Sequence, residues 1–309
     1  MTEHGQRLRG IFPVLQTPLD ASGQPDVPSL RREVDFCVRA GAHGIVFPAL
    51  GSEVQFLSDR ERRELVEVVA AESYGRIPFI ATVSAPSAAI AVEHARHAAT
   101  VNAQAVMALP PYISQASGDE ILDYFRCIAR ECSLPLVVQN AAPGVSPDFL
   151  VRLMREVPQV RYIKEEAGAS AHNVSAVMRA TTQSPCDGIF GGAFGRWMLS
   201  ELRRGASGFM PAAEIIDVYV QLWNAWQAGD QAQARKIFNL ILPLINQLML
   251  LGLPVSKEVL VRRGVFQTPR MRSPGAQSLD DDDRIELDAI LADLQPYFTI
   301  DSHLSKTGM

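Results

Sequence analysis

The sequence predicts a (β/α)8 TIM barrel with a helical C-terminal extension, and three observations lead there. Eight short apolar, β-rich runs recur between Gly10 and Pro211. They are spaced by roughly 20 to 35 residues, about the length of a strand, a helix and the turns joining them. The length of 309 residues suits one such barrel with an extension. An open doubly wound sheet is the alternative, because alternation does not by itself prove closure.

In order, the runs are Gly10 to Thr17, Gly44 to Leu50, Ile77 to Ser84, Ala105 to Pro111, Leu134 to Asn140, Val160 to Glu166, Asp187 to Gly192 and Gly208 to Pro211. Between them the period turns helical, and the helix starts carry signals. Ser58-Asp59-Arg60-Glu61 and Ser117-Gly118-Asp119-Glu120 read as capping boxes. Ser146-Pro147 puts a hydroxyl at the N-cap and proline at the first helical position, where its missing N–H is harmless. The barrel is expected to span residues 1–229 and the extension residues 230–309, broken at Gly252-Leu253-Pro254 and over Thr268 to Gln277. Asp280 to Asp283 precede the last helix, where acids complement the helix dipole.

Composition excludes several function classes. Lys+Arg total 29 against 34 Asp+Glu, a net charge of -5, and the arginines are interleaved with glutamates. That pattern offers no basic surface for nucleic acid, so small-molecule partners are expected. Met1 to Gly10 lacks the apolar segment of a secretory signal, so a cytoplasmic location is expected. Ile237 to Val255 is apolar, but Asn239, Pro243, Asn246 and Gln247 interrupt it, so a buried helix is expected and no membrane role. The four cysteines read as free thiols, and the scattered histidines, of which only His94 and His97 share a helix face, suggest no metal site. No cofactor motif is present.

Barrel enzymes carry their chemistry at the carboxyl ends of the strands. In the sixth run, alternation puts Val160, Tyr162 and Lys164 on one face, with Ile163 on the other, so Lys164 is expected to point into the mouth. Two readings of Lys164 follow. Desolvation lowers an amine's affinity for its proton, and the neutral amine attacks ketones to form a Schiff base. An ion pair with Glu165 or Glu166 would favour the charged form instead.

The chain resembles the dihydrodipicolinate synthase and N-acetylneuraminate lyase family, Schiff-base lyases on this barrel. Gly10 to Leu19 is similar to the family's opening strand, Gly51-Ser52-Glu53 with Leu57-Ser58 to its loop after strand two, Pro110-Pro111-Tyr112 to its segment after strand four, and Ile163-Lys164-Glu165 to its Schiff-base strand. The resemblance implies that Lys164 forms the covalent Schiff base, with no other cofactor, and that the protein is a homotetramer, a dimer of dimers. The family's tyrosine at the end of strand five is Gln139 here, its two carboxylate-binding threonines are Leu50 and Gly51, and the synthases' arginine falls near Gly144. Lysine-pathway synthesis is therefore not expected.

Ala49 to Ser58, Leu109 to Tyr112 and Val138 to Ala141 are most similar to the branch holding 2-keto-3-deoxy sugar-acid dehydratases. That similarity implies a hydro-lyase acting on a 2-keto acid such as 2-keto-3-deoxyarabonate. An aldolase or synthase of the same family, and a noncatalytic keto-acid-binding barrel, are the alternatives. An amide such as Gln139 cannot titrate, which disfavours aldol cleavage through a relay at that position. The candidate roles are Tyr112 as proton shuttle or as a packing residue at a subunit contact, Gly51 and Ser52 for the substrate carboxylate, Gln139 for a substrate hydroxyl or as a satisfied polar residue of the barrel interior, and Gly191 for close backbone approach to the substrate. Glu165 is expected to be a structural ion-pair partner.

Overall fold

The structure, a computed structural model, describes residues 7–181 and 186–300. Eight strands and eight helices alternate: β1 (Gly10–Ile11), α1 (Val27–Arg39), β2 (Ile45–Phe47), α2 (Asp59–Ser73), β3 (Phe79–Thr82), α3 (Ala88–Thr100), β4 (Ala105–Ala108), α4 (Gly118–Glu131), β5 (Leu136–Asn140), α5 (Pro147–Glu156), β6 (Val160–Glu165), α6 (Ser170–Ala180), β7 (Gly188–Gly191), α7 (Met198–Leu202), β8 (Gly208–Phe209) and α8 (Ile216–Gln227). All ladders are parallel. The sheet runs β1-β8-β7-β6-β5-β4-β3-β2, and the hydrogen bonds Leu15 N–H to Val46 O (3.0 Å) and Val46 N–H to Pro13 O (2.9 Å) close it into a TIM barrel.

Each predicted run contains one strand, and the strands are shorter than the runs. The first shows why: Pro13 has no N–H to give the ladder, so regular pairing stops at Ile11 and resumes as two isolated bridges at Val14, to Val46 and to Ala212. The strands read as unbroken apolar runs because both faces are covered. Inside the barrel lie Phe12, Val14, Val46, Ile80, Met107, Val137, Tyr162, Phe190 and Met210. Ile11, Ile45, Phe79, Val106, Val138, Ile163 and Ile189 face the helices instead.

One side-chain assignment is corrected. Val160 packs in the outer layer, not inward with Tyr162 and Lys164. Leu136 pairs with Val160 but Val137 pairs with Tyr162, so Arg161 is an extra residue that breaks the alternation. Its guanidinium grips both oxygens of Asp187 at 2.8 Å. Beyond the bulge the predicted alternation holds.

The helix caps form as the sequence indicates. Ser58 and Glu61, and Ser117 and Glu120, exchange hydrogen bonds as capping boxes, while Ser146 caps α5 ahead of Pro147. His97 meets the Glu67 carboxylate at 2.9 Å, whereas burial lowers the His94 pKa to about 4 and leaves its ring neutral, with Asp59 3.7 Å away.

Three further helices follow the barrel: α9 (Gln231–Leu251), α10 (Leu253–Arg262) and α11 (Asp281–Leu294). By length and composition α9 would reach across a membrane, yet it packs along α8 and buries Ile237, Ile241, Leu244 and Leu248 in the core. Gly252, in the left-handed region at φ +76°, turns the chain from α9 into α10. Asp280 caps α11 through the Asp283 N–H at 2.9 Å.

Candidate active site

Lys164 sits on β6 with its neighbours in register, Gln139 on β5 and Phe190 on β7. It is 4% exposed. Two residues further on, past the end of the strand, the chain returns Glu166 to the same side. The Glu166 Oε1 atom lies 3.2 Å from Lys164 Nζ and accepts the Ala193 N–H at 2.8 Å, and Oε2 accepts from Gln139 Nε2 at 2.8 Å. Burial alone would raise the proton affinity of this carboxyl. The Lys164 charge and the Ala193 and Gln139 donors outweigh it and hold Glu166 below the usual carboxylate range. Glu166 is therefore an anion at neutral pH.

The β7 loop is shaped around that anion. A Cβ on Gly192 would fall 2.2 Å from Glu166 Oε1, and Ala193 and Phe194 that follow hold φ of +47° and +57°, sparsely populated for residues with side chains. The Tyr219 hydroxyl, donating to Phe194 O at 2.7 Å, fixes the strained turn. Gly192→Ala is expected to cost about 1–3 kcal/mol in chemical denaturation, and to cut activity by displacing the carboxylate.

Lys164, Gln139 and Glu166 open onto a cavity of about 250 Å³ whose remaining wall is largely apolar, including Val14, Leu50, Phe194, Met210 and Leu253. Gln139 Oε1 is buried with no hydrogen-bond partner among the described residues. An unpaired buried acceptor is costly, and a ligand hydroxyl that reached this amide oxygen would relieve that cost. The arrangement therefore combines a buried amine, an anionic base at hydrogen-bonding distance and one free acceptor.

The other expected site residues divide. Gly51 lines the cavity. Ser52 does not, because its hydroxyl donates to Leu15 O and accepts the Ala49 N–H at 2.9 Å, which leaves it a loop-stapling role. Gly191 also faces away from the cavity: a Cβ there would fall 2.1 Å from Glu201 Oε2, so its lack of a side chain serves packing. Tyr112 is 40% exposed and lies outside the cavity lining, with Arg62 nearby; burial pushes its phenol up while Arg62 pulls it down. Glu165 makes no ion pair among the described residues. It points toward the helices and accepts from Asn140 Nδ2 (2.8 Å), the Ala167 N–H (2.8 Å) and Asn173 Nδ2 (3.2 Å), all neutral donors.

Glu166 emerges as a site residue in its own right. Its signal was present, since a residue two past Lys164 shares its face. Leu253 reaches the cavity from α10 and had no local signal.

Comparison with known proteins identifies the family. A model of the dihydrodipicolinate synthetase family matches residues 7–294. An L-2-keto-3-deoxyarabonate dehydratase of Azospirillum brasilense is 31% identical, covering 94% of this chain and 96% of its own. A probable 2-dehydro-3-deoxy-D-pentonate aldolase of Escherichia coli is 24% identical over 77% of this chain and 81% of its own. The crystal structure of dihydrodipicolinate synthase from Rhodopseudomonas palustris superposes with a TM-score of 0.86 at 26% identity, covering 93% of this chain and 97% of that one. With barrel, motif order and family model in agreement, the chain belongs to the dihydrodipicolinate synthetase family and is a lyase.

Proposed function

We propose that the protein is a Schiff-base hydro-lyase that dehydrates a 2-keto-3-deoxy sugar acid, with 2-keto-3-deoxyarabonate as the representative substrate. The observation that carries this reading is the Glu166 carboxylate 3.2 Å from Lys164 Nζ, held by an amide where the family carries a phenol. The Lys164 amine adds to the substrate's C2 ketone, and two protons of its ammonium pass to the ketone oxygen, so that Glu166 stays ionised. Loss of water gives an iminium, which acidifies C3.

Glu166 then removes a C3 proton to form the enamine. The electron pair expels the C4 hydroxyl, and the proton on Glu166 leaves with it as water. Proton shifts move the unsaturation toward C5, and hydrolysis of the iminium restores the amine. Gln139 Oε1, the unpaired acceptor, receives a substrate hydroxyl. The Gly51 backbone at the cavity wall meets the carboxylate. The amine itself supplies the electron sink, so the sequence of steps calls on no further cofactor.

The dehydratase of Azospirillum brasilense, similar across nearly all of both chains, supports this choice of substrate class. Family membership supports the wider reading of a cytoplasmic homotetramer whose partner is a small 2-keto acid. The test is product analysis. Incubation with 2-keto-3-deoxyarabonate is expected to give 2,5-dioxopentanoate, whereas free pyruvate would move the assignment to aldol cleavage.

A further inference from the structure

Behind the Lys164–Glu166 pair lies a second acid. Glu201, on α7, is buried, and its Oε1 accepts from the Ser170 hydroxyl at the start of α6 at 2.6 Å. Its Oε2 is buried without a partner, packed against the Gly191 backbone where any side chain would collide with it. Gly191 is the register partner of Glu165 on the neighbouring strand. Three carboxyls therefore gather at the carboxyl ends of β6 and β7, with Glu166 on the cavity side and Glu165 and Glu201 on the helix side.

We propose that Glu201 is a positioning residue for the Schiff-base chemistry, acting through Glu166: protonated, it leaves Glu166 a weak base, and ionised, it strengthens that base. The inference rests on the Schiff-base reading above. It assigns to Glu201 a function without contact with substrate.

The physical basis is the charge balance of the cluster. Burial pushes the Glu201 carboxyl up to about 7, helped by the Glu165 and Glu166 charges and opposed by the Ser170 hydroxyl and the Arg196 guanidinium. Those four groups act on it from α6, β6, the segment just past β6, and the turn before α7. A group titrating there changes charge across the neutral range. A negative charge added behind Glu166, where little water screens it, makes proton uptake by Glu166 more favourable. The sign follows: as pH rises through about 7, Glu201 ionises and C3 proton removal speeds up, by roughly fivefold for a partly expressed charge effect.

The readout is exchange of pyruvate methyl protons with solvent deuterium, followed by NMR from pH 5.5 to 8.5. It reports the base step whichever sugar acid is the substrate. The native protein is expected to show a rising limb near neutrality. Glu201→Gln should abolish that limb and hold the rate near its low-pH value, and Glu201→Asp should restore part of it. Ser170→Ala, which keeps the acid but removes the hydroxyl that favours its ionised form, should shift the limb to higher pH and guards against a folding defect in the glutamine variant. A limb unchanged in Glu201→Gln and in Ser170→Ala, or a rate lowered equally at every pH, would overturn the proposal. Borohydride trapping on Lys164 checks the Schiff base separately, because the adduct requires no base strength from Glu166.

Discussion

Lys164→Arg is expected to lower turnover by more than about a thousandfold, a loss of roughly 4 kcal/mol of barrier lowering, and to abolish borohydride trapping of a 2-keto acid. Arginine keeps the positive charge and much of the length, so its carboxylate partner remains paired. It is effectively always protonated and does not form the iminium. The substitution thus separates charge from covalency: if the charge were what mattered, arginine would retain activity. Peptide mass mapping after reduction with pyruvate checks the same point directly, since the adduct should sit on Lys164 in the native protein and nowhere on the barrel in the variant. Undiminished turnover by the arginine variant would remove the covalent mechanism altogether.

Glu166→Gln is expected to reduce turnover by about 10²–10³-fold, the usual contribution of a positioned base. The adduct on Lys164 should still form, because addition to the ketone and deprotonation at C3 are different steps. That split, trapping retained while turnover falls, is what marks Glu166 as the base. The native pH profile adds a second check. Because Lys164, Ala193 and Gln139 together hold this carboxyl below the usual range, it stays ionised until the medium is distinctly acid. The acid limb belonging to Glu166 should therefore lie lower than that of an ordinary glutamate, and any limb near neutrality belongs elsewhere. Equal loss of trapping and turnover in the glutamine variant would mean that the carboxylate serves the amine alone.

Much of the barrel was legible because its determinants are local. Each apolar run holds one strand, and Ser58, Ser117 and Ser146 cap the helices they precede, since a cap depends on residues three positions apart. The inward direction of Lys164 followed from alternation alone. Alternation failed at Val160, where Arg161 adds a residue to satisfy Asp187, a partner 26 positions away. The site was less legible for the same reason. The Ser52 hydroxyl is taken by Leu15 O, and the space beside Gly191 by Glu201, through contacts that no short window contains. Likewise the choice between a neutral amine and an ion pair required knowing which of two adjacent glutamates returned to the cavity. It is Glu166, while Glu165 turns outward to amide donors.

Leu253 bears on how the enzyme would respond to its ligand. It stands at the first position of α10, immediately after the left-handed Gly252, yet it forms part of the cavity wall. A compound held against Lys164 consequently draws binding energy from the C-terminal helices, and by mass action it must stabilise them in return. Occupancy should thus register as slower amide exchange in α9 and α10, far along the chain from the reacting lysine. The tail is also where chain-length preference can drift without disturbing a single strand, since a smaller side chain at that one position deepens the chamber and leaves the catalytic groups in place.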